Sequence, residues 1–205
     1  MNYLVFDLET IVRPIPESIK SDLESKIKAK YKTEEVVAKH LEGIEEDWKW
    51  MPGAQKPICA CFYDFNLDTY SGLQSDNEVE IAEFFLDQFG ELPYTKLVGF
   101  NIKKFDIPNL IVSLSKTTRS LDHRLGRYDF IDLMKEPHGY DVGMYSLSYY
   151  ASIFGLQSKS GTGGDVEEMY RLDRGNGTTQ VKDYCLGDVR ITKELFEIYS
   201  KLHKF

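Results

Sequence analysis

The chain has 205 residues, 42% of them apolar and 28% charged, with a formal net charge of −8. A chain of this size buries most of the apolar surface that its unfolded form would expose, which fits a single domain on one core. No run is apolar and long enough to cross a bilayer, the N-terminus lacks a basic region followed by an apolar stretch and a cleavage site, and the acidic balance excludes a protein that coats nucleic acid nonspecifically; the expectation is a cytoplasmic chain without a membrane partner.

The first strand is expected over about Tyr3 to Leu8. Side chains alternate along a strand, so Leu4, Phe6 and Leu8 share one face while Asp7 and Glu9 share the other. Two like charges on one face repel, and compensation has to come from elsewhere in the fold. The prolines of VRPIP end the strand. From Glu17 to Ile44 the spacing is helical: Ile19, Leu23 and Ile27 form one stripe, and Val36, Val37, His40, Leu41 and Ile44 form another after Thr33, a candidate cap. Lysines and glutamates on the outer face read as a solvated surface. Residues 13–56 are therefore read as a helical insertion within a single 1–205 domain.

EEDWKWMPGAQKP reads as a loop whose Trp48 and Trp50 cover the insertion's core, with base stacking as the weaker alternative. ICACFYDF and DTYSGL read as two strands joined around Asn66. Cys59 and Cys61 share a strand face without the spacing of a metal clip, so with Cys185 they read as buried thiols and not as a zinc site. A helix follows over Glu78 to Phe89, then a short strand at KLVGF, with Phe105 expected in the core and a helix at DIPNLIVSLSK that places Pro108 in its first turn, where its missing donor costs little. The basic stretch containing Arg119, Arg124 and Arg127 reads as solvated surface, and Lys103 and Lys104 likewise. YDFIDLM is expected as a strand, SLSYYASIFGL as a helix ending near Gly155, QSKSGTGGD as a loop, VEEMYRL as a short helix and Val181 to Leu202 as a final long one. Strands first and alternating helices later indicate an α/β domain with a mixed sheet.

Three further acids could join Asp7 and Glu9. Asp106 stands at the start of a helix, where amide groups favour negative charge. Tyr184 and Asp188 lie four residues apart, on one face of the last helix, whereas Asp183 falls on another side. Alone, Asp106 reads as a cap and Asp188 as half of a salt bridge.

The order Asp-x-Glu, Asn-x-x-x-Phe-Asp, Tyr-x-x-x-Asp resembles the three motifs of the DEDD 3′-5′ exonuclease superfamily. Tyr184 points to its DEDDy branch, because the histidine branch needs a His where this chain has Asp183. The segments around the glycine-rich loop and the last motif are similar to predicted stand-alone exonucleases related to the proofreading domain of family-B DNA polymerases. The resemblance covers about residues 1–12 and 57–202. It implies a ribonuclease H-like fold, a mixed central sheet flanked by helices, and a metal-dependent 3′-5′ exonuclease that hydrolyses phosphodiester bonds by a two-metal-ion mechanism. Catalysis and metal binding are carried over to Asp7, Glu9, Asp106 and Asp188, with two Mg²⁺ or Mn²⁺ ions as cofactors, since hard oxygen ligands select such cations. Tyr184 would orient the attacking water, and Leu8, Thr10, Asn101 and Lys159 would contact substrate. The partner implied is a nucleic-acid 3′ end, DNA before RNA. The chain stops after the last helix, so no polymerase is expected to follow it. Alternatives are an RNA 3′-end exonuclease or a non-catalytic nucleic-acid-binding or assembly module on the same fold. A haloacid dehalogenase-type phosphatase also begins with a strand ending in acids, but Glu9 replaces its second Asp and Thr10 comes one residue early.

Overall fold

The computed structural model describes residues 2–89, 95–119, 130–135, 145–157 and 163–202. Five strands, β1 (Asn2–Val12), β2 (Gln55–Asp64), β3 (Thr69–Gln74), β4 (Thr95–Gly99) and β5 (Phe130–Asp132), form one sheet in the order β3-β2-β1-β4-β5. β1 pairs antiparallel with β2 and parallel with β4, β2 pairs antiparallel with β3, and β4 pairs parallel with β5. The sheet is mixed, as expected, and β1 is its central strand.

Between β1 and β2 lie α1 (Glu17–Lys30), α2 (Glu34–Glu42) and α3 (Ile44–Trp48). The helical periodicity of α1 and α2 is real, yet neither helix has a buried residue. Thr33 occupies the cap position of α2 but its side chain makes no capping hydrogen bond. α3 falls where a loop was expected. It buries Ile44 and Trp48, whose indole Nε1 donates to the Arg13 carbonyl at 2.7 Å. Trp50 is 74% exposed and covers no core.

The remaining helices are α4 (Glu78–Phe89), α5 (Asp106–Leu114), α6 (Leu147–Phe154), α7 (Val166–Asn176) and α8 (Gln180–Leu202). α6 starts at Ser146, whose hydroxyl accepts from the Tyr149 amide, and stops at Gly155, with φ of 65° in the left-handed region that glycine occupies without strain. Two cores lie on opposite faces of the sheet. Leu4, Phe6 and Leu8 pack with Phe62, Phe85 and Leu110 under α4 and α5. Val5 packs with Cys61, Val98, Cys185, Val189 and Leu195 under α6 and α8. The alternation read from the sequence thus sends Asp7 and Glu9 toward α8. Contacts of Cys185 with Asp7 and of Phe196 with Tyr3 show that α8 runs antiparallel to β1. No helix among the described residues is long and apolar enough to cross a membrane.

Candidate active site

Asp7, Glu9 and Asp106 lie where β1 outruns its parallel neighbour. β4 pairs only with Asn2 to Val5, whereas β2 accompanies β1 to Val12. Past Val5 the β4 side of β1 is open, and its backbone needs other partners. Asp106, at the first turn of α5, supplies one: its carboxylate accepts from the Leu8 amide and from its own. It is 3% exposed. Burial first, then the charge of Asp7 and that of Asp132, push its carboxyl well above the ordinary carboxylate range, while the two amide donors pull the other way. Asp7 and Asp106, 99 residues apart in the chain, are therefore close enough to oppose each other's ionisation.

Glu9 is buried, and its carboxylate lies within 4.8 Å of that of Asp7 and of the Cys185 thiol. Cys185 donates to the Asp7 carbonyl and to Asp7 Oδ2, both at 3.5 Å. Tyr184 and Asp188 are 3% and 6% exposed on the inward stripe of α8 that carries Cys185, while Asp183 faces solvent, as the helical spacing required. The register shifts between Glu9 and Thr10, and the Thr10 hydroxyl donates to Gln55 Oε1 at 3.2 Å. Leu8 is 3% exposed in the core under α5. Asn101 has φ of 63°, a left-handed conformation sparsely used outside glycine, and its side-chain Oδ1 is buried without a hydrogen-bond partner among the described residues. Lys159, Arg124 and Arg127 lie outside the described residues. Arg119 pairs with Asp87 at 2.5 Å, and Lys103 and Lys104 are exposed. Phe105 is half-buried and belongs to neither core, contrary to expectation.

Two supporting acids were not legible as such. Asp132, at the end of β5, is fully buried and accepts from the amides of Asn101 at 2.8 Å, Met134 at 3.2 Å and Lys103 at 3.3 Å. It fixes the strained loop that leads to Asp106. Asp173, near the end of α7, caps α8 by accepting from the amides of Gln180 and Val181, each at 3.0 Å. An acid at the end of a strand or helix is too common for sequence alone to single it out.

A cleft of about 710 Å³ begins at Ile11, on the Glu9 side of β1, and runs along α7 past Glu167, Tyr170, Arg171 and Arg174. Crowded carboxylates at the carboxyl end of a central strand offer oxygen donors of the kind that hold divalent cations.

A family model described as RNase_H superfamily matches residues 53–200. The chain belongs to the RNase H superfamily, and its mixed five-stranded sheet flanked by helices is the ribonuclease H-like fold that the motifs implied. The matched span carries Asp106, Tyr184 and Asp188, while Asp7 and Glu9 precede it on the central strand of the same sheet. Hydrolytic nuclease chemistry on nucleic acid is the activity general to that superfamily. No curated protein matches the chain.

Proposed function

We propose that this chain is a metal-dependent 3′-5′ exonuclease of the DEDDy type that acts on single-stranded DNA in preference to RNA. The observation that carries the reading is the burial of Asp106 against Asp7: two carboxylates that oppose each other's charge are held together by the fold at the open end of β1. The direction of that opposition fits a divalent cation, which would relieve it. Asp7, Glu9, Asp106 and Asp188 offer hard oxygen donors of the kind that bind Mg²⁺ or Mn²⁺. When bound, a pair of such ions activates water and stabilises charge on the attacking and leaving oxygens.

The protein's own groups do the rest. The Tyr184 hydroxyl holds the attacking water by a hydrogen bond, from a ring fixed in the core. Asn101 Oδ1 accepts a hydrogen bond from the terminal nucleotide, in keeping with its lack of a protein partner among the described residues. Thr10 and Leu8 border the acids through the backbone of β1, and a contact of Lys159 with the substrate backbone is carried over from the motif resemblance alone. The cleft along α7 receives the strand that leaves the site. The 3′ polarity and the preference for DNA rest on motif resemblance.

The test is degradation of 5′-labelled single-stranded DNA and RNA in Mg²⁺ or Mn²⁺. A ladder shortening from the 3′ end is expected, strongest on DNA, and lost with chelator and in Asp188→Asn. Cleavage of circular single strands would replace the exonuclease with an endonuclease, and tight binding without cleavage would replace the enzyme with a binding module.

A further inference from the structure

A second set of ligating groups lies directly beside the acids, and the nuclease reading leaves it unused. Cys59 and Cys61 stand opposite Glu9 and Asp7 in the β1–β2 register, and α8 lowers Cys185 onto them. All three are free thiols, fully buried. Their Sγ atoms lie within 4.8 Å of one another, with 3.8 Å between Cys59 and Cys61. A tetrahedral zinc ion with Zn–S bonds of about 2.3 Å places its sulfurs about 3.8 Å apart. The Cys59–Cys61 pair already has that separation, and Cys185 needs to close by at most about 1 Å on the same tetrahedron. Asp7 Oδ2 sits 3.5 Å from Cys185 Sγ. That is close to the sulfur–oxygen edge, about 3.6 Å, of a tetrahedron with a Zn–O bond of about 2.1 Å.

We propose that Cys59, Cys61 and Cys185 form a binding site for one thiophilic divalent cation of the zinc type; Asp7, which stands beside Cys185 and Glu9 and not within the three-thiol set, turns in as fourth donor when the ion binds. Spacing along the chain argues against such a site, because Cys59 and Cys61 lack a clip motif; the third thiol comes from a helix more than 120 residues further on. A disulfide between Cys59 and Cys61 is the poorer alternative, because residues one apart on an extended strand hold their Cα atoms about 6.7 Å apart, at the limit of what a disulfide spans. The neighbouring strand makes room for the cluster. Gly72 pairs with Cys61, and a Cβ at Gly72 would meet Cys61 Sγ at 2.7 Å. The Lys182 side chain passes the same place and brings a positive charge toward the thiolates that binding would create. Half-exposed Asp7 opens the route, so a cation reaches the sulfurs through the acid face.

Both sites draw on the Asp7 carboxylate. A thiophilic ion that draws Asp7 toward the sulfurs removes it from the carboxylate set, so zinc-type cations inhibit the hydrolysis that magnesium supports. This coupling rests on the exonuclease reading; the binding itself does not.

Co²⁺ titration of the purified full chain under reducing conditions separates the two. One equivalent should produce an intense thiolate-to-cobalt charge-transfer band, displaced by one equivalent of Zn²⁺. The band should vanish in Cys61→Ser and in Cys185→Ser, and persist with at least about tenfold weaker affinity in Asp7→Asn. Each variant's fold is checked by circular dichroism. A wild-type protein without the band, or a band that survives both serine substitutions, overturns the site whatever the variants' stability. If hydrolysis is observed, one equivalent of Zn²⁺ should suppress it in wild type and not in Cys61→Ser; equal suppression in both overturns the coupling. A cobalt band in a protein without nuclease activity keeps the thiol site and discards the function proposed above.

Discussion

Replacing Asp173 by alanine is expected to cost the fold about 3 kcal/mol and to disturb the candidate site without touching it. Asp173 is 4% exposed. Its carboxylate accepts from the Thr178 hydroxyl, from the amides of Gln180 and Val181 at 3.0 Å each, and from Gln74 Nε2 at 3.0 Å. Gln74, held in this way, accepts from the Lys182 amide at 3.1 Å. Three of the otherwise unpaired amides that open α8 depend on this pair, and a negative charge at a helix N-terminus is favourable in itself. Loss of a cap costs about 0.5–2 kcal/mol and each hydrogen bond to a charged acceptor about 1.5–3 kcal/mol; the groups act together, so a total of about 3 kcal/mol is the sensible figure. With a urea slope of about 2 kcal/mol per molar, the unfolding midpoint should fall by about 1.5 M, and by roughly half as much in Asp173→Asn, which keeps one acceptor. The pH dependence gives a second check. Burial pushes the Asp173 carboxyl up, but its hydrogen bonds outweigh burial and hold it below the ordinary 3.8. Its stabilisation is therefore present above the unfolded value and is lost as pH falls through the folded one, so the gap between wild type and Asp173→Ala should narrow in acid. An unchanged midpoint, or a gap constant down to low pH, would refute the capping role.

Tyr184→Phe keeps the buried ring and removes only the hydroxyl, so turnover should fall at least about tenfold with little change in KM, measured by steady-state kinetics. Asp106→Asn should stabilise the metal-free protein by about 1 kcal/mol or more, because a buried carboxyl raised by burial and by Asp7 penalises the fold as pH rises through its folded value. Mn²⁺ at about a hundred times its Kd should add about 2.7 kcal/mol to wild type, a rise in Tm of about 5–10 °C, and clearly less to this variant, as followed by thermal unfolding. Glu78 is held down at about 2, first by its hydrogen bond to Arg13 and also by Lys116 and Ser113. That contribution should be lost between about pH 4.5 and 2, and Arg13→Ala should cost about 2 kcal/mol at neutral pH while flattening the acid limb of the stability curve.

The alternation of Leu4, Phe6 and Leu8 against Asp7 and Glu9 was legible because period two is a local property, and the two cores on either face of β1 obey it. The bounds of α4 were legible for a similar reason, the local helical spacing of its apolar residues, and the fold adds Asn77 as its cap, with Oδ1 accepting from the Val79 amide at 3.0 Å. β1 runs four residues past its expected end because β2 pairs with it as far as Val12, a contribution from a segment 43 residues away. The two tryptophans illustrate the same limit. Trp48 is buried because the Arg13 carbonyl accepts its indole proton, whereas Trp50, two residues later, has no such neighbour to cover it. Asp132 and Asp173 escaped notice because their roles lie wholly in amides brought to them by the fold.

The position of the candidate site follows from the unequal lengths of the strands beside β1. Had β4 paired with β1 beyond Val5, the Leu8 amide would have been committed to the ladder and Asp106 would have had no backbone donor on the strand to bury against. Because β4 stops early, α5 turns back over the open edge, its first residue fills the vacancy, and a carboxylate enters the interior beside Asp7. That arrangement works against stability, since both burial and Asp7 oppose the charge on Asp106. Asp132 adds to the opposition, yet it is held by three backbone amides that also fix the loop before α5. On the metal-dependent reading proposed above, a fold that spends rigid hydrogen bonds on keeping like charges together would store binding energy for a cation, and the same rigidity would determine which oxygens that cation meets.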